Sequence, residues 1–399
     1  MIDSSAINRR NFIKGLCGTV ASMGIPPISF AKEKAPQLRL GYLPITDATP
    51  LLIAYENKYF QDEGLHVTPP IKVRRWSTLT ESFLTNKFNL THMLFPIPVW
   101  MRFNRKIPVR ILAWNHINGS ALSVKKHSNI KSFEDLGGCQ IAVPYWYSMH
   151  NIILQMGLRK VGFKPVIQPH TAPLKPDEVN LFILPPPEMP SAMVARKIDG
   201  YIVAEPYNAI AEMKTGAKIL RFTGDIWKNH PCCVVVMNER LIKARPVFTQ
   251  KVINAIVRAQ RWITQHPQET AKILSKEGKN YLPVSEKILG RVFTGYEVSI
   301  YGNGDIPQAI KHPKWKVGRI GFQPYPYPSA TQLIIQEMQN TRMEGNVDFL
   351  KQIHVESAIR HLVDDTFVKK AILSAGGMKQ FSDAIDSQNP WHREEIVAL

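Results

Sequence analysis

The sequence predicts an α/β protein built as two lobes, each around a mostly parallel sheet, joined by a hinge. Three observations predict it. Short β-like runs alternate with helical runs from Leu38 to beyond Val252, the pattern of strand–helix–strand units. At 399 residues the chain is too long for one compact core, and two lobes are the natural division. Apolar runs near 121–125 and 232–236 sit where the pattern breaks and restarts, as crossings between lobes would.

Residues 1–31 are set apart from the fold. Asn8-Arg9-Arg10-Asn11-Phe12-Ile13-Lys14 has the paired arginines, aromatic and lysine of a twin-arginine export signal. No charge occurs from Gly15 to Ala31, a stretch too short and too broken by Gly and Pro for a membrane span. Ser29-Phe30-Ala31 has the small-x-small form cut by a signal peptidase, so cleavage is expected after about Ala31 and the mature chain in the periplasm.

Leu38–Leu43 alternates and predicts the first strand. It runs into Thr46-Asp47-Ala48-Thr49-Pro50, where Thr and Asp read as caps and Pro50 as an early helical residue. A strand leading straight into a helix leaves free N–H groups at the sheet's edge, a setting suited to an anion. Ile71–Val73 is the next strand, and Trp76 opens a polar helix. Thr91–Leu94, Val109–Trp114 and Ala121–Val124 are extended, and Gln140–Val143 starts the second lobe's sheet. After the aromatic loop Tyr145-Trp146-Tyr147, His150 and Asn151 open a helix whose apolar positions Met149, Ile153 and Met156 step by four and three.

Val179–Leu184 and Ile198–Val203 are strands, each running into a turn, Pro185–Met189 and Glu205–Asn208. Gly224–Pro231 is a loop carrying Trp227, Lys228, Asn229 and His230. Val234–Met237 returns to the first lobe, and Val252, Ile256, Ala259 and Ile263 mark a long amphipathic helix. The expected organisation is a signal at 1–31, first lobe at 32–122, second lobe at 123–231, then the rest of the first lobe and a helical extension at 232–399. Ligands of such open sheets bind at the carboxyl ends of strands. The turns at Thr46, His150, Pro185 and Glu205 would then face the cleft.

The net charge of +18 includes +2 on residues 1–31 (Arg9, Arg10 and Lys14 against Asp3), leaving +16 on the mature chain. It is spread without a long basic block, which excludes a nucleic-acid array and is compatible with an anionic solute. Cys139, Cys232 and Cys233 remain after cleavage, too few for a disulfide framework and without a CxxC metal pair, so the vicinal pair reads as small apolar residues on a strand. His116, His150, His170 and His230 lack metal-ligand spacing. No nucleotide, metalloprotease or serine-hydrolase motif occurs. Nothing in the sequence demands catalysis, and no catalytic residue, metal or cofactor is expected.

The segments Gly41-Tyr42 with Thr46–Leu51, Phe60–Leu65, Pro185–Met189, Ala204–Asn208, Thr223–Pro231 and the Tyr325-Pro326-Tyr327 region carry a resemblance. Through them the chain resembles periplasmic solute-binding proteins of nitrate/sulfonate/taurine-type ABC importers, in their nitrate- and bicarbonate-binding branch. The likeness implies a type II periplasmic-binding-protein fold, a monomer that closes on one small anion and docks on an ABC permease. It implies Trp76 as pocket tryptophan, His150 as the histidine at a helix start and Lys228 as the lysine of nitrate binders. Ser120 stands where nitrate binders tend to have glutamine, and Tyr145-Trp146-Tyr147 is bulkier than the usual approach to the histidine. A lysine at 228 favours nitrate (or nitrite) over bicarbonate with a metal partner. Asp47, Trp76, Ser120, His150, Asn151, Glu205 and Lys228 are the expected ligand contacts. Bicarbonate, a sulfonate such as taurine or another small organic ligand are the alternatives. A periplasmic enzyme and a nitrate-sensing regulator are the readings from other classes.

Overall fold

The computed structural model describes residues 36–302, 308–381 and 388–399, so the export motif and cleavage site expected within 1–31 lie outside the described residues. In chain order the strands are β1 (Leu40–Tyr42), β2 (Ile71–Lys72), β3 (Leu90–Leu94), β4 (Val109–Trp114), β5 (Ile117–Asn118), β6 (Ser120–Val124), β7 (Gln140–Val143), β8 (Lys164–Val166), β9 (Glu178–Ile183), β10 (Gly200–Ala204), β11 (Lys218–Phe222), β12 (Cys233–Asn238) and β13 (Ile320–Gly321). They form a five-stranded sheet, β2-β1-β3-β12-β4, a six-stranded sheet, β11-β6-β10-β7-β9-β8, and the small pair β13-β5. Helices intervene between the strands, the two-lobed α/β arrangement expected from the alternating pattern.

The sheets are mixed. β1 runs parallel to β2 and β3, and β7, β8, β9 and β10 are mutually parallel where they pair. β12 is antiparallel to β3 and β4, and β6 is antiparallel to β10 and β11. Both exceptions are the strands at which the chain has just changed sheets. A strand that enters from the other lobe comes in at the end where its neighbours leave, and so pairs against them. The crossings lie at 115–119 and 223–232, the first a few residues earlier than expected, because Ser120–Val124 is already paired in the second sheet.

Local sequence explains several pieces. Pro246–Gln265 buries Val252, Ile256, Ala259 and Ile263 on one stripe, as the four–three–four spacing requires. Gly41 is demanded at β1 because a Cβ there would come within 2.3 Å of the Phe88 ring. The C-terminal part closes over both crossings. Its Ile320–Gly321 pairs with β5, Trp227 bridges to Val397, and the Lys228 N–H donates to the Ile396 carbonyl at 3.0 Å. No helix among the described residues is long and apolar enough to cross a membrane.

Candidate functional site

Asp47 and Thr46 do not cap the helix that follows them. The segment is a 3₁₀ turn, Thr46–Ala48, running into Thr49–Glu56, and neither N-terminus has a side-chain cap. Thr46 instead reaches the second lobe, where its N–H and hydroxyl both donate to the Glu205 carbonyl, at 2.9 and 3.0 Å. Asp47 turns inward, fully buried, and becomes the hub of a polar cluster at the mouths of β1, β3, β4 and β12.

Three side chains converge on its Oδ2. His116 Nε2 lies 2.9 Å away, the Cys233 thiol donates at 3.0 Å, and the Cys232 thiol lies 3.6 Å away. One ligand-type atom from each of Asp47, His116, Cys232 and Cys233 lies within 4.8 Å of every other, and all four residues are buried. Cys232 and Cys233 are buried in the core at the start of β12, as expected of small apolar residues on a strand, and the fold also sets their thiols against Asp47 and His116, a grouping that the sequence spacing does not announce. Among the described residues Cys139, Cys232 and Cys233 are free thiols.

A second ring of buried groups surrounds the cluster. Ser120 Oγ is 2.9 Å from His150 Nε2, joining the first residue of β6 to the helix Met149–Lys160. His92, in β3, accepts the Leu43 N–H at Nε2 and meets the Trp76 ring edge-on at 5.6 Å. Asp47 Oδ1, Trp76 Nε1, His92 Nδ1, Asn115 Oδ1 and His150 Nδ1 are buried without a partner among the described residues. So many unanswered polar atoms in one place is unusual in a folded core and points to a binding site. A cavity of about 250 Å³, lined by Arg75, Trp76, Ser77, Pro144, Tyr145 and the Pro185-Pro186 turn, opens beside it between the lobes.

Of the expected ligand contacts, Asp47, Trp76, Ser120 and His150 come together here. Asn151 is buried and committed: its amide donates to the Trp146 and Arg342 carbonyls, and its Oδ1 accepts from Gln155. Glu205 is held by Arg319 and by the Ala209 N–H. Lys228 is half-buried beside the C-terminal segment, and its ammonium makes no hydrogen bond or ion pair with the cluster. Its neighbour Trp227 is fully buried and donates to Glu395 at 2.7 Å, so its indole N–H is already partnered. His230 is tied to Thr223 Oγ1 at 2.8 Å. The aromatic loop is also anchored, Trp146 donating to Glu344 at 3.0 Å.

Burial and neighbours set the charges. Burial works to lower the His116 pKa, but the adjacent Asp47 carboxylate overrides it and raises it to about 10. Burial pushes Asp47 itself up, against the pull of His116. Burial, reinforced by the charge on His116, lowers His92 to about 3. The site therefore contains a charged His116 facing Asp47 and a neutral His92 at neutral pH. A histidine kept neutral in the fold but free to protonate when unfolded stabilises the protein above pH 6.5, and that contribution is lost as pH falls toward about 3. Replacing His92 by Gln is expected to flatten the acid side of the stability–pH curve in urea titrations. His230, lowered to about 4 mainly by burial, will keep some slope; an unchanged acid limb would show that His92 does not titrate on unfolding.

Known proteins share the chain's sequence family and its fold. The family model described as NMT1-like matches residues 31–276. Over 322 residues the chain is 28% identical to the nitrate/nitrite binding protein NrtA of Nostoc sp., covering 74% of this chain and 70% of that one. It is 26% identical over 256 residues to the nitrate import ATP-binding protein NrtC of Synechocystis sp., covering 60% of this chain and 37% of that protein. The crystal structure of the periplasmic nitrate-binding protein NrtA from Synechocystis superposes with a TM-score of 0.71 at 18% identity, over 88% of this chain and 92% of that one. That superposition identifies the two-lobe periplasmic-binding-protein fold.

Proposed function

The chain belongs to the NMT1-like family, and on that premise we propose that it is the solute-binding component of an ABC importer, with nitrate (or nitrite) as its first candidate ligand. It works outside the inner membrane, exported by the twin-arginine route, as a monomer that hands its solute to a permease. Trp76, His92, Ser120 and His150 form the anion's surroundings, with Asp47 behind them. Asn151 and Glu205 hold the walls.

The observation that carries the reading is a pair of buried N–H groups with no partner. Trp76 Nε1 can only donate, and His92, whose Nε2 accepts the Leu43 N–H, carries its proton on the unpartnered Nδ1. Leaving such donors unanswered costs about 1–3 kcal/mol each. A flat, weakly hydrated oxyanion offers several acceptors to answer both.

Calorimetric titration of the mature protein with nitrate, nitrite, bicarbonate and taurine tests this. One equivalent of nitrate bound without turnover is expected. Trp76→Phe, which keeps the ring and removes the donor, should weaken nitrate binding about tenfold, or about 1.4 kcal/mol. Lys228→Glu separates a local from a long-range cation: loss of affinity keeps Lys228 in the site, and unchanged binding removes it. Binding of bicarbonate or taurine alone would overturn nitrate as the ligand.

A further inference from the structure

From the convergence of Asp47, His116, Cys232 and Cys233 we propose a binding site for one thiophilic metal ion of the zinc type, held by two thiolates, an imidazole and a carboxylate. The proposal rests on the cluster alone and stands whether or not nitrate is the imported solute.

The donor set is the first argument. Two sulfurs, one imidazole nitrogen and one carboxylate oxygen are the ligands that zinc takes in four-coordinate sites, and the thiols select against magnesium and calcium. Spacing is the second. Around a tetrahedral zinc, bonds of roughly 2.0 Å to N or O and 2.3 Å to S place the donors roughly 3.3–3.8 Å apart. Here His116 Nε2, Cys233 Sγ and Cys232 Sγ lie 2.9, 3.0 and 3.6 Å from Asp47 Oδ2. All four atoms lie within 4.8 Å of one another, and the three distances to Asp47 Oδ2 lie within or just below the spacing that a tetrahedral ion sets.

The surroundings are the third argument. The ligands are carried by the 3₁₀ turn that follows β1 (Asp47), the crossing just after β4 (His116) and the entry to β12 (Cys232 and Cys233), each adjoining a paired strand. Asn115 donates to the Asp47 carbonyl, which holds the carboxylate's backbone in place. Asp47 Oδ1 and the Asn115 side-chain oxygen are buried acceptors with no partner, acceptors that a bound ion or its water would satisfy. His150, on the second lobe, lies within hydrogen-bonding reach of the Cys232 thiol, so that lobe also contacts the cluster. Binding is balanced by proton release: the two thiols lose their protons as the metal–sulfur bonds form, and the His116 imidazolium gives up its Nε2 proton to bind as the neutral ring, the protons passing to solvent.

The test uses the reduced mature protein, handled without oxygen. Zn²⁺ titration is expected to bind one equivalent and release protons to a weak buffer. Co²⁺ in its place should give the near-ultraviolet sulfur-to-metal charge-transfer band of a thiolate site. Cys233→Ser should roughly halve that band, removal of both Cys232 and Cys233 should abolish it, and Cys233→Ser should weaken Zn²⁺ binding at least about 100-fold, beyond what loss of an outer partner costs. Cys139→Ser, just before β7 in the second lobe, should leave both unchanged. Where Cys233→Ser fails to fold, Asp47→Asn with the wild-type Co²⁺ spectrum decides. Absence of the band in the wild-type protein, or its persistence without Cys232 and Cys233, would overturn the site. Nitrate calorimetry run separately on metal-free protein keeps this result distinct from the importer reading.

Discussion

Replacing Arg319 by Met is expected to destabilise the protein by about 3–5 kcal/mol, the cost of leaving a buried charge without its partner. Arg319 is almost wholly buried; its Nε donates to Glu205 Oε1 at 2.7 Å and its Nη2 to Glu212 Oε2 at 2.7 Å. Tyr301 accepts from Nη1 at 3.2 Å and itself donates to Glu212 at 2.5 Å. Burial alone would lower the guanidinium's pKa, but the two carboxylates raise it above its ordinary value, so it stays charged. Burial also lifts Glu205 above the usual carboxylate range, against the opposing charge of Arg319. Without Arg319, Glu205 should rise further. The variant should therefore regain stability as pH falls and the carboxyl takes up a proton. Equilibrium urea unfolding reads the loss, and the double variant Glu205→Gln/Arg319→Met should recover part of it. A loss below about 1 kcal/mol would mean that the network is replaceable by packing, as some buried ion pairs are.

This network shows what the sequence could and could not tell. The strand–helix alternation, the lobes and the long helix at Pro246–Gln265 were legible because each depends on neighbours within a few residues. Glu205 was legible as a residue at a strand-end turn, but its partner lies 114 residues along the chain, and nothing local announces it. Asp47 reads in the sequence as a helix cap, whereas in the fold it caps neither N-terminus and its carboxylate faces His116 and the two cysteines. Thr-Asp before a Pro is a capping pattern, and only long-range pairing brings Cys233, 186 residues away, against its carboxylate. The same holds for the octet Gly224–Pro231. Its residues read as a loop presenting a cation and a ring, whereas folding spends Asp225 on Arg221 and the Lys311 and His312 N–H groups, and Trp227 on Glu395. A motif read in isolation shows which groups are present, not which of them are already partnered.

The Asp47–His116 pair gives the second large effect, and its sign is fixed by the direction of the histidine's shift. His116 is about 10 in the fold against 6.5 in an unfolded chain, so the fold holds a proton that the unfolded chain releases. Its contribution is fully present below pH 6.5 and is lost as pH rises through about 10. In metal-free protein, stability should therefore fall steadily from pH 6.5 toward 10. Asp47→Asn removes the charge 2.9 Å from Nε2 while keeping the side chain's shape. His116 should then become neutral in the buried site, and the alkaline decline should largely disappear, leaving a protein less stable than wild type at pH 6 and closer to it at pH 10. Urea midpoints measured across that range, with His116 ring shifts followed by NMR, separate the outcomes. An alkaline decline of equal size in both proteins would assign the slope to other groups and remove the ion pair from the site. If it holds, metal binding must draw against the same proton, and zinc affinity should rise over the pH range in which His116 gives it up.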